Sequence, residues 1–146
     1  IKNENLTAVP VCDDELVIVC SQTHPLASCA FVTLAMLQGQ NYISRESGSA
    51  ERNQLEQLFE EQEIKLNRTF CSTSTEAIKN AVICGRGIAI FSRRMVKKEI
   101  AEGTLVVLPL QGVNVTRNIH FVIHKNKFLS KELLAVEEIC RAYGAH

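Results

Sequence analysis

The sequence has no excess of charge of either sign: sixteen Lys and Arg balance sixteen Asp and Glu over 146 residues. That balance excludes bulk electrostatic attraction to nucleic acid or to an anionic membrane as this chain's own activity. Tryptophan is absent, and there are only three prolines and seven glycines. With 46% hydrophobic and 22% charged residues, the composition is globular rather than collagenous or disordered. Long hydrophobic runs are also missing. The longest apolar stretch is Leu16–Cys20, far short of the roughly 20 residues that span a bilayer. No secretory leader is visible, because Ile1-Lys-Asn-Glu-Asn-Leu is polar and lacks an initiating Met. The segment reads as internal or processed. A chain of this length forms one domain or two small lobes and buries about two-thirds of its unfolded surface.

Cysteine is present, but not in a pattern that makes a site. Cys12, Cys20, Cys29, Cys71, Cys84 and Cys140 form no CxxC pair and no zinc-type spacing with histidine. Most follow apolar runs: Cys20 after Leu-Val-Ile-Val, Cys84 after Ala-Val-Ile, Cys140 after Glu-Glu-Ile. They read as reduced core thiols, small buried hydrophobes of a protein in the reducing cytoplasm. His120 and His124 share a strand face but lie roughly 13 Å apart by strand rise, too far for one metal. Ser47-Gly-Ser49 lacks the full nucleophile elbow. His24, before Pro25, reads as a hydrogen-bonding residue at a strand end. No catalytic constellation assembles, and neither a cofactor nor a metal is expected.

What is present is an alternation of short elements. Leu16–Cys20 is unbroken and β-branched, which predicts a strand buried on both faces. Thr33 caps a short helix over Leu34–Leu37, stopped by Gly39. Asn41–Ser44 is a strand, and Ala50–Gln62 an amphipathic helix with Leu55, Leu58 and Phe59 on one face. Arg68–Cys71 is a strand, followed by a helix that a Thr73-x-x-Glu76 capping box starts and Gly85 closes. Gly87–Phe91 is a buried strand, Ser92–Glu102 a helix, and Leu105–Leu108 a strand. Residues 41–108 therefore predict a parallel sheet with helices on both faces. Arg117–His124 alternates as a half-buried strand, and Ser130 caps a last helix.

Two loops join a strand end to a helix start: Ser44-Arg45-Glu46-Ser47-Gly48-Ser49 and Ser72-Thr73-Ser74-Thr75. In open α/β sheets ligands bind at that edge. Helix N-termini present unpaired N–H groups and partial positive charge, which favour anions. Ser47, Gly48, Ser49, Ser72, Thr73 and Ser74 would line that edge with neutral donors, and Arg45 or Arg52 could clamp a carboxylate bidentately. The same hydroxyls also serve as ordinary helix caps. Arg52 reads as an exposed helix-face residue. Gly85-Arg86-Gly87 ends a helix and starts a strand, the reverse of a phosphate loop, and reads as a C-cap with close packing. Arg93, Arg94, Lys97 and Lys98 read as a solvated face.

The succession of these segments resembles the effector-binding domain of LysR-type transcriptional regulators. The resemblance runs through Asp14-Glu15-Leu-Val-Ile-Val and His24-Pro25-Leu26-Ala27. It continues through Ile43-Ser-Arg-Glu-Ser-Gly-Ser-Ala-Glu-Arg52, Ser74-Thr-Glu-Ala-Ile-Lys-Asn-Ala-Val82 and Gly85-Arg-Gly-Ile-Ala89. It closes with Glu102-Gly-Thr-Leu105, Leu108-Pro109, Arg117 and the last helix. Ser92 stands where that family often has proline. The resemblance implies an α/β fold like that of type 2 periplasmic binding proteins, with two subdomains joined by two crossover strands. Those strands map onto Leu16–Cys20 and Asn118–Ile123. Residues 1–24 would end the first subdomain and form the first crossover, 25–115 would be a complete effector-binding subdomain, and 116–146 the second crossover and closing helix. The rest of the first subdomain and a helix-turn-helix DNA-binding domain would lie upstream.

By the same resemblance, an effector sits between the subdomains on the loops at Ser44–Ser49 and Ser72–Thr75, with Thr73 foremost; the two helix N-termini make a small anion or carboxylate the expected ligand. The protein is then a cytoplasmic homo-oligomer that reaches DNA only through the missing domain and has no membrane partner. Two other readings share the scaffold: a solute-binding module of a transporter, and an enzyme. Without the upstream part, Leu16–Cys20, Asn118–Ile123 and the last helix are expected to expose apolar faces and to drive self-association.

Overall fold

The computed structural model describes residues 3–143, and within the first α-helix the side chains from Leu55 onward. In chain order the strands are β1 (Leu6–Ser21), β2 (Asn41–Arg45), β3 (Asn67–Ser72), β4 (Ala89–Ser92), β5 (Leu105–Val107) and β6 (Val115–His124). The α-helices are α1 (Ala50–Glu61), α2 (Thr75–Ile83), α3 (Lys97–Ala101) and α4 (Lys131–Tyr143). Contacts divide the chain into two compact units, Glu15–Val115 and Ile1–Asp14 with Thr116–His146. The division cuts β1 at Asp14, upstream of the expected boundary at residue 24.

In the larger unit, β1 lies between β4 and β5 and runs antiparallel to both, with Ile18 opposite Ile90 and Val19 opposite Val107. The sheet is therefore mixed rather than parallel throughout. The strands of residues 41–108 do share one direction. β2 and β3 pair in parallel, and Tyr42 bridges in parallel to Ile88, which leads into β4. Hydrogen bonds from Ile43 N–H to the Ile88 carbonyl (2.9 Å) and from Ile88 N–H to the Asn41 carbonyl (2.8 Å) make that join. The antiparallel member is β1, which arrives from the other unit.

Burial on both faces of β1 follows from its sequence. Leu16, Ile18 and Cys20 point into one cluster with Tyr42, Leu55, Phe59, Ile88 and Ile90. Val17 and Val19 point into a second cluster with Ile43, Ile78, Val82, Ala89, Phe91 and Val96. Alternation along the strand thus packs α1 on one side and α2 on the other. All five residues of Leu16–Cys20 are buried, so the apolar exposure expected there does not occur.

Three local differences from the sequence reading have physical causes. The helix expected over 92–102 is a 3-10 turn at Arg93–Val96 followed by α3, because Val96 leaves helical geometry at φ −115°, ψ 12°. The cap of α2 is Ser74 and not Thr73: Ser74 Oγ accepts from Ala77 N–H at 3.2 Å. Most of the cysteines are not core residues. Cys20 is buried, whereas Cys71 and Cys84 are exposed and Cys12, Cys29 and Cys140 are half-buried; all six are free thiols. Cys84 falls on the C-cap turn of α2, where the helix face that buries Ile78 and Val82 has already ended. His24 acts as expected, its Nδ1 accepting from Leu26 N–H at the start of the 3-10 turn Pro25–Ser28.

In the smaller unit β6 pairs with β1. Ile119, Val122, Phe128, Leu129, Leu134, Val136, Ile139 and Tyr143 are all exposed, Phe128 at 83%. The expected exposure is therefore found here, on β6 and the last helix. Among the described residues, no helix is long and apolar enough to cross a membrane.

Candidate functional site

The parallel register of β2 and β3 places Ser44 beside Cys71 and Arg45 beside Ser72. Both strands therefore end at the same edge, and the two hydroxyl-rich loops leave it side by side. A parallel pair needs this arrangement, since each strand hands over to its own crossover helix at the same edge. All eight sequence-nominated residues, Ser44, Arg45, Ser47, Gly48, Ser49, Ser72, Thr73 and Ser74, lie on these two strand ends and loops.

Their states differ. Ser44 is fully buried, and its Oγ has no hydrogen-bond partner. A buried hydroxyl left unpaired costs about 1–3 kcal/mol, so its retention here needs a reason. Ser47 and Gly48 are exposed, and Gly48 adopts φ +90°, which lets the loop turn sharply before α1. Ser49 occupies the N-cap of α1 but makes no side-chain cap bond. Ser72 Oγ accepts from Ser74 N–H at 3.0 Å, and Ser74 caps α2. These two hydroxyls are occupied by the fold. Thr73 is displaced from the cap and exposed.

Arg45 is committed elsewhere. Its Nε and Nη2 reach Glu46 Oε2 and Oε1, each at 3.0 Å, and its Nη1 donates to Thr75 Oγ1 at 2.8 Å. The fork that the sequence offered to a carboxylate already holds one. Arg45 instead ties the first loop to the start of α2. Sequence reasoning missed Glu46 and Thr75 in this role, although both lie within the quoted loops; neither has a spacing that marks a contact across two strands. The side chain of Arg52 lies outside those described. Among the described residues no group of three metal-ligating side chains converges. The site is formally neutral, built of hydroxyls and helix-terminal N–H groups, and can hold a small polar or anionic molecule reversibly.

Comparison with known proteins bears on the same residues. The profile of a family described as the LysR substrate binding domain matches residues 1–145. The HTH-type transcriptional activator CmpR of Synechocystis is 36% identical over 118 residues, covering 81% of this chain and 39% of the activator. The chain thus spans about two-fifths of the length of that curated relative. The regulatory domain of CcmR from Synechocystis PCC6803, solved in complex with 2-PG, superposes with a TM-score of 0.89 at 26% identity, over 99% of this chain and 69% of that one. The effector binding domain of QuiR in complex with shikimate gives 0.83 at 25% identity, over 99% and 68%.

Proposed function

From the premise that the chain belongs to the LysR substrate-binding-domain family, we propose that it is the effector-sensing part of a transcriptional regulator. The effector is a small anion or carboxylate, held on the Ser44–Ser49 and Ser72–Ser74 loops. The observation that carries this reading is the unpaired, fully buried Ser44 hydroxyl at the strand edge where the two loops meet. Ser47, Ser49 and Thr73 add hydroxyls that make no side-chain cap bond. Arg45 and Glu46 neutralise each other, so the anion is stabilised by N–H and O–H dipoles rather than by a free cation. The ligands of the two solved neighbours, 2-PG and shikimate, support a small polar effector. The chain has no charge excess of its own. Contact with DNA therefore belongs to a helix-turn-helix elsewhere in a longer protein, a cytoplasmic homo-oligomer that ligand shifts between two states by differential affinity.

Titration calorimetry with 2-PG, shikimate and sulfate tests the reading. Saturable heat with one of the anions, reduced in Ser44→Ala and Thr73→Ala, is the expected result. Binding of neutral polyols alone, or heat unaffected by both substitutions, overturns it.

A further inference from the structure

A second recess opens in the same unit, at the other end of β2 from the hydroxyl loops. It measures about 630 Å³ and is lined by Thr69 and Phe70 of β3, by Asn80, Ala81 and Cys84 at the end of α2, and by Arg86 and Asn41. Phe70 leaves 43% of its surface exposed there. Among the described residues no acidic side chain lines it.

Arg45, Arg68, Arg93, Arg117 and Arg141 each engage a carboxylate. Among the described residues Arg86 has no such partner. Its backbone is set by the two glycines around it. Gly85 adopts φ +73°, and Gly87 adopts φ +153° against the Asn41 carbonyl, where a Cβ would lie 2.3 Å from the oxygen. The Gly-Arg-Gly turn therefore places the exposed Arg86 side chain on the same recess as the exposed Phe70 ring. A guanidinium fork selects planar anions, and a ring face selects flat ones.

We propose that this recess is a second ligand site, which takes a planar aromatic carboxylate. The carboxylate pairs with Arg86, the ring lies against Phe70 and Ala81, and Asn80 and Thr69 supply edge hydrogen bonds. The volume suits a molecule of one or two fused rings.

Two exposed thiols make the test specific. Cys84 lines the recess, and Cys71 sits at the hydroxyl-loop edge beside Ser44. Iodoacetamide alkylation of each thiol in the full chain is followed by peptide mass spectrometry, with 1-naphthoate as the probe. Acetate serves as a carboxylate without a ring, and 1-naphthalenemethanol as a ring without charge. Saturating 1-naphthoate should slow Cys84 alkylation by about tenfold and leave Cys71 unchanged, as mass action on one occupied site requires. Acetate and 1-naphthalenemethanol should change neither, and Arg86→Gln and Phe70→Ala should each abolish most of the protection. Unprotected Cys84, equal protection by acetate, protection of Cys71 in its place, or full protection in folded Arg86→Gln overturns the proposal. The comparison of the three probes on the unsubstituted chain decides even where a variant does not fold.

Discussion

Arg117 holds Asp14 through two nitrogens on one oxygen: Nε and Nη2 each lie 2.8 Å from Asp14 Oδ2. The Asp14 side chain is 1% exposed and that of Arg117 20%. The pair joins β1 to β6 within the smaller unit. Removing one partner from a buried pair strands the other charge, which costs about 3–5 kcal/mol. Arg117→Met should therefore lower the urea midpoint substantially, and adding Asp14→Leu should recover most of the loss. A double variant as unstable as the single one would show that the pair's geometry, and not the stranded carboxylate, sets the cost.

Ser44→Ala separates binding from stability. The hydroxyl is buried without a partner, so its removal should leave the protein as stable as before, or about 1 kcal/mol more stable. Affinity for the effector should nevertheless fall by about fivefold to tenfold, the worth of one hydrogen bond. Thermal unfolding with and without ligand reads both effects. A loss of stability in the ligand-free protein would contradict the assignment.

Gly87 and Gly39 both have positive φ but differ in their surroundings. A Cβ at Gly87 meets the Asn41 carbonyl carbon and oxygen at 2.8 and 2.3 Å, whereas one at Gly39 meets nothing. Gly39→Ala should cost about 1–2 kcal/mol for the left-handed backbone alone. Gly87→Ala should cost about 3 kcal/mol or more, because it also disrupts the bridge between Tyr42 of β2 and Ile88, the residue leading into β4. Denaturant unfolding of the two variants side by side makes the comparison.

Lys79 and Glu99 form a buried link between α2 and α3 at 2.9 Å. The hydrogen bond from Lys79 holds Glu99 below the ordinary carboxylate value of 4.5, against the opposing effect of burial. Burial pulls Lys79 down, but hydrogen bonds and charge from Glu99 and Glu76 outweigh it and leave the amine above 10.5. The depressed carboxylate contributes stability that is present above its unfolded value and lost as pH falls through the folded one. The raised amine contributes stability that is present below its unfolded value and lost as pH rises through the folded one. The link should therefore be fully effective between pH 4.5 and 10.5. The gap in urea midpoint between the unsubstituted chain and Lys79→Met should be constant across that window and narrow below it. An equal gap at pH 3 and pH 7 would sink this account.

Thiol reactivity should follow burial. Desolvation pushes Cys20 up to about 11, and it is enclosed between strands. Cys71 and Cys84 are exposed. At pH 8 a thiol reagent should label Cys71 and Cys84 in the native protein and reach Cys20 only on unfolding.

Where the sequence reading succeeded, the signal was local. An unbroken β-branched run at Leu16–Cys20 carried its own evidence of two-sided burial, and the Leu55 and Phe59 spacing marked the inner face of α1. The hydroxyl loops were legible because strand ends and helix starts are punctuated by Gly, Ser and Thr. Ser74 replaced Thr73 as the cap of α2 because two adjacent hydroxyls both satisfy the local pattern, and only backbone dihedrals choose between them. Cys84 left the core because an apolar run does not reveal where a helix ends relative to its buried face.

The sequence alone determined which segments are apolar on one face or two, and which loops carry hydroxyls at helix starts, because periodicity and capping are properties of neighbours in the chain. The tertiary structure decided that β1 runs antiparallel between β4 and β5, since pairing direction leaves no trace in a period of two. It also decided that Arg45 reaches Thr75, thirty residues on, that Ser44 is buried without a partner, and that Arg86 shares a recess with Phe70 and Asn80. Each of these depends on which side chains, distant in the chain, are brought together when the strands pair.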